Sequence, residues 1–119
     1  FIDFYRTYSD ASVLFIVALL WYPAFENLFS IIRKKLNKKN ASKPDTSHLH
    51  QLIFKFLLTN FKNKKINNIV SGLIINFYNL IIFFTAYFLS NSSIGLSILL
   101  LINIIIYTSS YYFLLKKIK

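Results

Sequence analysis

The sequence predicts an all-α polytopic membrane protein, with three transmembrane helices and one cytoplasmic amphipathic helix. Three observations lead there. Hydrophobic residues fill 55% of the 119 positions, with 13 Phe and 8 Tyr, and the mean hydropathy is +0.51. They gather into three stretches long enough to cross a bilayer. Charge is scarce and one-sided, 14 Lys and Arg against 4 Asp and Glu, and it falls between and after those stretches. A basic excess of this size can mark a nucleic-acid binder, but such apolar runs could not stay in water beside the basic clusters. Membrane lipid, and no nucleic acid, is therefore the expected surrounding. The absence of cysteine excludes disulfides, thiolate metal sites and cysteine nucleophiles. The absence of methionine leads us to expect a piece of a longer chain, with cleavage of a signal peptide as the competing explanation.

The first span is expected over residues 11–32, "ASVLFIVALLWYPAFENLFSII", interrupted only by Pro23 and Glu26. The second covers residues 69–89, and the third covers residues 94–115, which at roughly 1.5 Å per residue extend about 33 Å, enough for the hydrocarbon core. All three must be helices, because open strands leave backbone groups unpaired in lipid. Residues 1–119 thus form a single membrane region. Trp21 and Tyr22 fall in mid-span, where they read as packing residues. Asn76, Asn79 and Asn103 read as hydrogen-bonding links between helices.

Every basic residue except Arg6 lies in the connection 33–65 or after the third span. Three spans put those two regions on one face, and the positive-inside rule makes that face cytoplasmic. "SNSS", Ser90 to Ser93, is then a tight outer turn. Within the connection, Arg33 to Asp45 is nearly devoid of apolar residues and is expected to be irregular, close to anionic headgroups. From Leu49 the pattern changes. Leu49, Leu52, Ile53, Phe56 and Leu57 follow helical spacing, and His48, Gln51, Lys55, Thr59 and Lys62 line the opposite stripe. This helix is too short and charged to span, so it lies in the interface or packs on the bundle. Asp45, Thr46 and Ser47 are all competent N-caps for it.

The start of that helix offers free backbone N–H groups and the positive end of a dipole, a combination that favours an anion such as phosphate. The basic segment upstream could reach the same anion, and His48 and His50 could add imidazole donors. Residues two apart point about 200° from each other on a continuous helix. Both rings face one ligand only if His48 belongs to the cap and His50 to the first turn. The competing reading leaves His48 on the polar stripe and His50 over a headgroup. A metal site would have only Asp45 as a nearby third ligand. Glu26, a carboxylate inside an apolar stretch, is costly in lipid; it pairs with a neighbouring helix, Arg33 or Lys34, or else it lines a polar cavity. No phosphate-binding Gly-rich loop, Ser-His-Asp set or paired carboxylate is present.

"YPAFENLFSIIRKKL" followed by "KPDTSHLHQLIFKFL" resembles the C-terminal part of the polyprenyl-phosphate N-acetylhexosamine-1-phosphate transferases. These polytopic enzymes include bacterial undecaprenyl-phosphate GlcNAc-1-phosphate transferase. The matching positions are Glu26, Arg33, Pro44, Asp45, His48 and His50, over about residues 11–60; the later spans match only in hydropathy. Gln51 stands where the family has a third histidine. The resemblance implies transfer of a sugar-1-phosphate from a UDP-sugar to a polyprenyl (undecaprenyl) phosphate, in cell-envelope polysaccharide synthesis at the bacterial inner membrane. It implies substrate-binding roles for His48 and His50 near the diphosphate or sugar, Arg33 as a diphosphate partner, and Asp45 as organiser of the loop. Family members hold Mg²⁺ with aspartates on earlier cytoplasmic loops. Mg²⁺ is thus expected for the full enzyme, with its ligands, the catalytic residues and the missing N-terminal spans outside this sequence. The alternative is a small non-enzymatic membrane protein whose basic amphipathic loop binds anionic lipid or a protein partner.

Overall fold

The computed structural model describes residues 13–40 and 42–119. Ala11 and Ser12, at the start of the first expected span, and Arg6, expected on the opposite face, lie outside the described residues. Four helices account for the fold: α1 (Val13–Leu36), α2 (Leu49–Asn60), α3 (Lys64–Phe88) and α4 (Ser93–Ile118). No strand occurs among the described residues. Three of the helices, α1, α3 and α4, are long and apolar enough to cross a membrane, and the all-α expectation is borne out.

Three span ends differ from expectation; α4 runs on to Ile118 instead of stopping at Leu115, with Lys116 and Lys117 in its last turn. α1 runs through the basic segment to Leu36 instead of stopping at Ile32, since Arg, Lys and Leu are good helix formers and cations are favourable at a helix C-terminus. α3 starts at Lys64 rather than residue 69, because the Asn63 side chain accepts the Ile66 N–H at 3.2 Å and caps it. The Ser90–Ser93 turn is tight, as expected, with Ser92 capping α4 by accepting the Gly95 N–H at 3.0 Å.

α1 packs on α3 and α4, and α2 packs on the same two helices. The amphipathic helix therefore sits against the bundle. Its Leu49 and Leu52 join a core with Trp21, Ile75, Ile82, Tyr107, Tyr111 and Leu114. Trp21 is 5% exposed, edge-on to Tyr22, Tyr78 and Tyr107, which is the packing role expected for it. A second small cluster, Phe15, Ala18, Ala86 and Leu96, closes the other end. Asn103 links helices by accepting from the Tyr78 hydroxyl at 2.7 Å. Asn76 and Asn79 do not: Asn76 is exposed and Asn79 half-buried on α3, and neither bonds to another helix among the described residues. Large apolar side chains cover the outer faces of α3 and α4, Phe77, Phe84, Ile105 and Phe113 among them, as lipid or further spans require. Outward Thr85 and Thr108 hydroxyls donate to their own helix, to the Ile81 and Ile104 carbonyls at 2.8 Å. That satisfies them without water.

Candidate functional site

α1 ends in a turn that aims the chain back along its own flank. The Lys39 N–H donates to the Lys34 carbonyl at 2.8 Å and the Lys38 N–H to the Lys35 carbonyl at 3.2 Å. This is a Schellman closure, and Lys38 takes the left-handed position at φ 54° that glycine usually holds. The returning loop is tied down by α1. The Arg33 guanidinium pairs with the Asp45 carboxylate and donates to the Ser47 carbonyl at 3.1 Å. The Ser30 hydroxyl also donates to Asp45, and Lys34 Nζ donates to the Lys43 carbonyl.

Asp45 receives one more bond, from the Ser47 N–H at 3.0 Å. Burial pushes the Asp45 carboxyl upward, but the bonds from Ser30 and the Ser47 N–H, together with the Arg33 charge and the nearby His48, outweigh it. The carboxyl is held below its ordinary value. Asp45 thus joins the end of α1 to the returning loop, and Arg33 is its cation. Arg33 also lies over the Tyr111 ring, 5.2 Å from its centroid, so α4 helps to fix the guanidinium.

Between the end of α1 and this loop is a cavity of about 480 Å³. Arg33, Lys34, Lys38, Lys39 and Lys43 bring positive charge to its wall, against the single carboxylate of Asp45. The two histidines do not line it; they follow its Ser47 wall in sequence.

The N-cap of α2 is His48, with extended backbone at φ −67° and ψ 155°. None of Asp45, Thr46 and Ser47, the expected caps, holds that position, and Asp45 is engaged instead by Ser30 and Arg33. The Gln51 side chain accepts the His48 N–H at 3.0 Å, so the residue in the third-histidine position completes the cap. His48 therefore belongs to the cap and His50 to the first turn, which is the condition for both rings to face one ligand. Their rings are parallel within 8°, with centroids 5.8 Å apart. His50 is exposed, and the His48 side chain is 24% exposed.

One expectation is corrected. The first-turn N–H groups are not all open to an external anion, because the Glu26 carboxylate accepts from the Leu49 N–H at 2.6 Å. The same oxygen accepts from the Tyr107 hydroxyl at 2.9 Å and lies 3.5 Å from His48 Nδ1. Glu26 faces the bundle and bonds to neighbouring helices, one of the pairings expected for it. Ser30, Gln51 and Tyr107 were not singled out from sequence as site residues. Tyr107 and Tyr111, one turn apart on α4, were the available signal, as polar-tipped residues repeating along one face.

Among the described residues no three His, Cys, Asp or Glu side chains gather as metal ligands. Asp45 is committed to Ser30, Ser47 and Arg33, so the donors here do not fit the Mg²⁺ implied by the resemblance.

No protein-family model and no solved structure matches the chain. It is similar to a probable undecaprenyl-phosphate N-acetylglucosaminyl 1-phosphate transferase of Bacillus subtilis (strain 168), 30% identical over 103 residues, which are 87% of this chain. The match falls in the C-terminal part of that protein, and the chain spans about a quarter of its length (26%). The family resemblance read from the residues is thereby borne out.

Proposed function

We propose that this relative of the C-terminal part of an undecaprenyl-phosphate sugar-phosphate transferase contributes one side of the active site of such an enzyme. In the reaction proposed, a phosphate oxygen of the polyprenyl phosphate attacks the sugar-linked phosphorus of a UDP-sugar. The bond between that phosphorus and the bridging oxygen breaks, UMP leaves, and a polyprenyl-diphosphate sugar forms. One observation carries this reading: the stacked His48 and His50 pair stands directly after a basic cavity built on the Arg33–Asp45 pair.

The chemistry needs donors around a diphosphate that gains charge as the bridge breaks. In this scheme the lysines around the cavity attract the diphosphate, Arg33 shares its remaining donors with it, and His48 and His50 bond to the phosphate or sugar oxygens. Asp45 keeps Arg33 and the loop in place. Mg²⁺, if used, would be held by residues of the longer chain and supply charge neutralisation. The loop would face the cytoplasm of a bacterial inner membrane, where a UDP-sugar is available.

Membranes carrying the longest open reading frame around this chain are expected to transfer label from a UDP-sugar to polyprenyl phosphate. His50→Ala should lower that rate on the order of 100-fold, the usual cost of one positioned donor, without changing the amount inserted. Full activity in the variant overturns the site assignment. A wild-type protein that transfers nothing yet binds anionic vesicles through the lysine cavity overturns the enzyme reading in favour of a lipid-binding membrane protein.

A further inference from the structure

An imidazole is an uncommon N-cap. Asp, Asn, Ser and Thr lead there because a side-chain oxygen accepts the backbone N–H three residues on, and Asp45, Thr46 and Ser47 stand directly before the cap of α2. His48 takes the place of such an oxygen. Its side chain accepts the Gln51 backbone N–H while the Gln51 side chain accepts the His48 N–H at 3.0 Å, which closes a capping box. The nitrogen that reaches Gln51 is Nδ1, the ring atom in the position where an Asp or Asn cap carries its oxygen. It is also the nitrogen turned toward the first turn, 3.5 Å from Glu26 Oε1. The lone pairs of that oxygen are taken by the Leu49 N–H at 2.6 Å and the Tyr107 hydroxyl at 2.9 Å, so the partner of Nδ1 is Gln51.

A ring nitrogen that accepts a hydrogen bond carries no proton, and a neutral imidazole has its proton on the other nitrogen. We infer that the capping box holds His48 as the neutral tautomer protonated on Nε2, so that it meets an anion as a fixed hydrogen-bond donor and not as a base. A Ser or Asp cap would close α2 as well but would present nothing beyond the helix end. The imidazole accepts at one edge and donates at the opposite one, and the side chain is 24% exposed. Gln51 is the positioning residue, since its backbone N–H sets the tautomer and its carboxamide locks the His48 backbone. The inference rests on the transferase reading for the identity of the anion, a diphosphate, which an N–H already in place stabilises without a proton transfer.

The test uses the full-length membrane protein. In ¹⁵N-histidine-labelled protein at about pH 8, above the ordinary imidazole range, the His48 signal is assigned by its loss in His48→Ala. It should report a proton on Nε2 and none on Nδ1; the reverse tautomer, or an even mixture of the two, refutes the inference. Two further variants divide the ring between its nitrogens. His48→Asn keeps an acceptor in the Nδ1 position, and with it the cap, but has no donor at Nε2. Its kcat should fall on the order of 100-fold, as for loss of one positioned donor, and full transfer by this variant means that His48 only caps the helix. His48→Gln brings an amide N–H to the Nε2 position and has no base to offer, so it should transfer about tenfold or more faster than His48→Ala. A Gln variant as slow as the Ala variant, with equal amounts inserted, makes the ring a base and overturns the inference. Failure of the transferase reading looks different: wild type transfers nothing, while the tautomer measurement, which needs no activity, still decides how His48 is held.

Discussion

The Tyr107 hydroxyl donates to Glu26 Oε1 at 2.9 Å across 81 residues of sequence. This bond ties the last helix to the first at the level where α2 begins. A hydrogen bond to a charged group in a dry setting contributes about 2 kcal/mol. Tyr107→Phe should lose about that much in an unfolding titration in detergent. Tyr112→Phe, on the exposed side of the same helix, should change nothing measurable.

The Arg33–Asp45 pair should make stability depend on pH in one direction. Asp45 has a folded pKa below its ordinary value, so its contribution is complete above the ordinary carboxylate range, near pH 4, and is lost as pH falls through the lower folded value. At pH 7, Asp45→Asn leaves a half-buried Arg33 without its carboxylate, and should cost about 3 kcal/mol. The gap to wild type should begin to narrow as the pH is taken below about 4. Melting curves of both proteins from pH 7 to 3 check this; a gap that is unchanged at the acid end contradicts it.

Lys38 adopts φ 54° in the turn that ends α1, a conformation costing a side chain about 1 kcal/mol relative to glycine. Lys38→Gly should therefore raise stability by about that amount. Lys38→Val, β-branched in the same position, should lower it, and thermal melts of the three proteins give the order.

Leu52 is 2% exposed where α2 meets the bundle. Leu52→Ala should destabilise by about 3 kcal/mol and increase hydrogen exchange in α2 before it does so in α3. Uniform exchange across both helices would mean that α2 does not open by itself.

The three spans were legible because hydropathy and length alone decide them, and the periodicity of Leu49, Leu52 and Phe56 revealed α2. The span ends were less so. At Arg33 to Leu36, polarity suggested a loop, while helix propensity and the dipole favoured another turn. The His48 cap was hidden by three better capping residues just before it, and only the pull of Ser30 and Arg33 on Asp45 removes the first of them. The partners of Glu26 could not be read at all. Tyr107 lies in the third apolar run, and no local pattern says which of its neighbours on α4 will face a carboxylate on α1.

Glu26 and Arg33 lie seven residues apart on α1, two helical turns, or about 10.5 Å along the axis. One holds the start of α2 and the imidazole pair, and the other holds the loop that walls the basic cavity. α1 is therefore a ruler that sets the distance between two halves of one surface. Asn27, Leu28 and Ile31 face outward between these marks, so their identities can drift with the surrounding lipid or protein. The number of residues cannot: one more would turn the second mark about 100° from the first, and the lysine-walled loop and the histidine pair would no longer share one end of the same helix face.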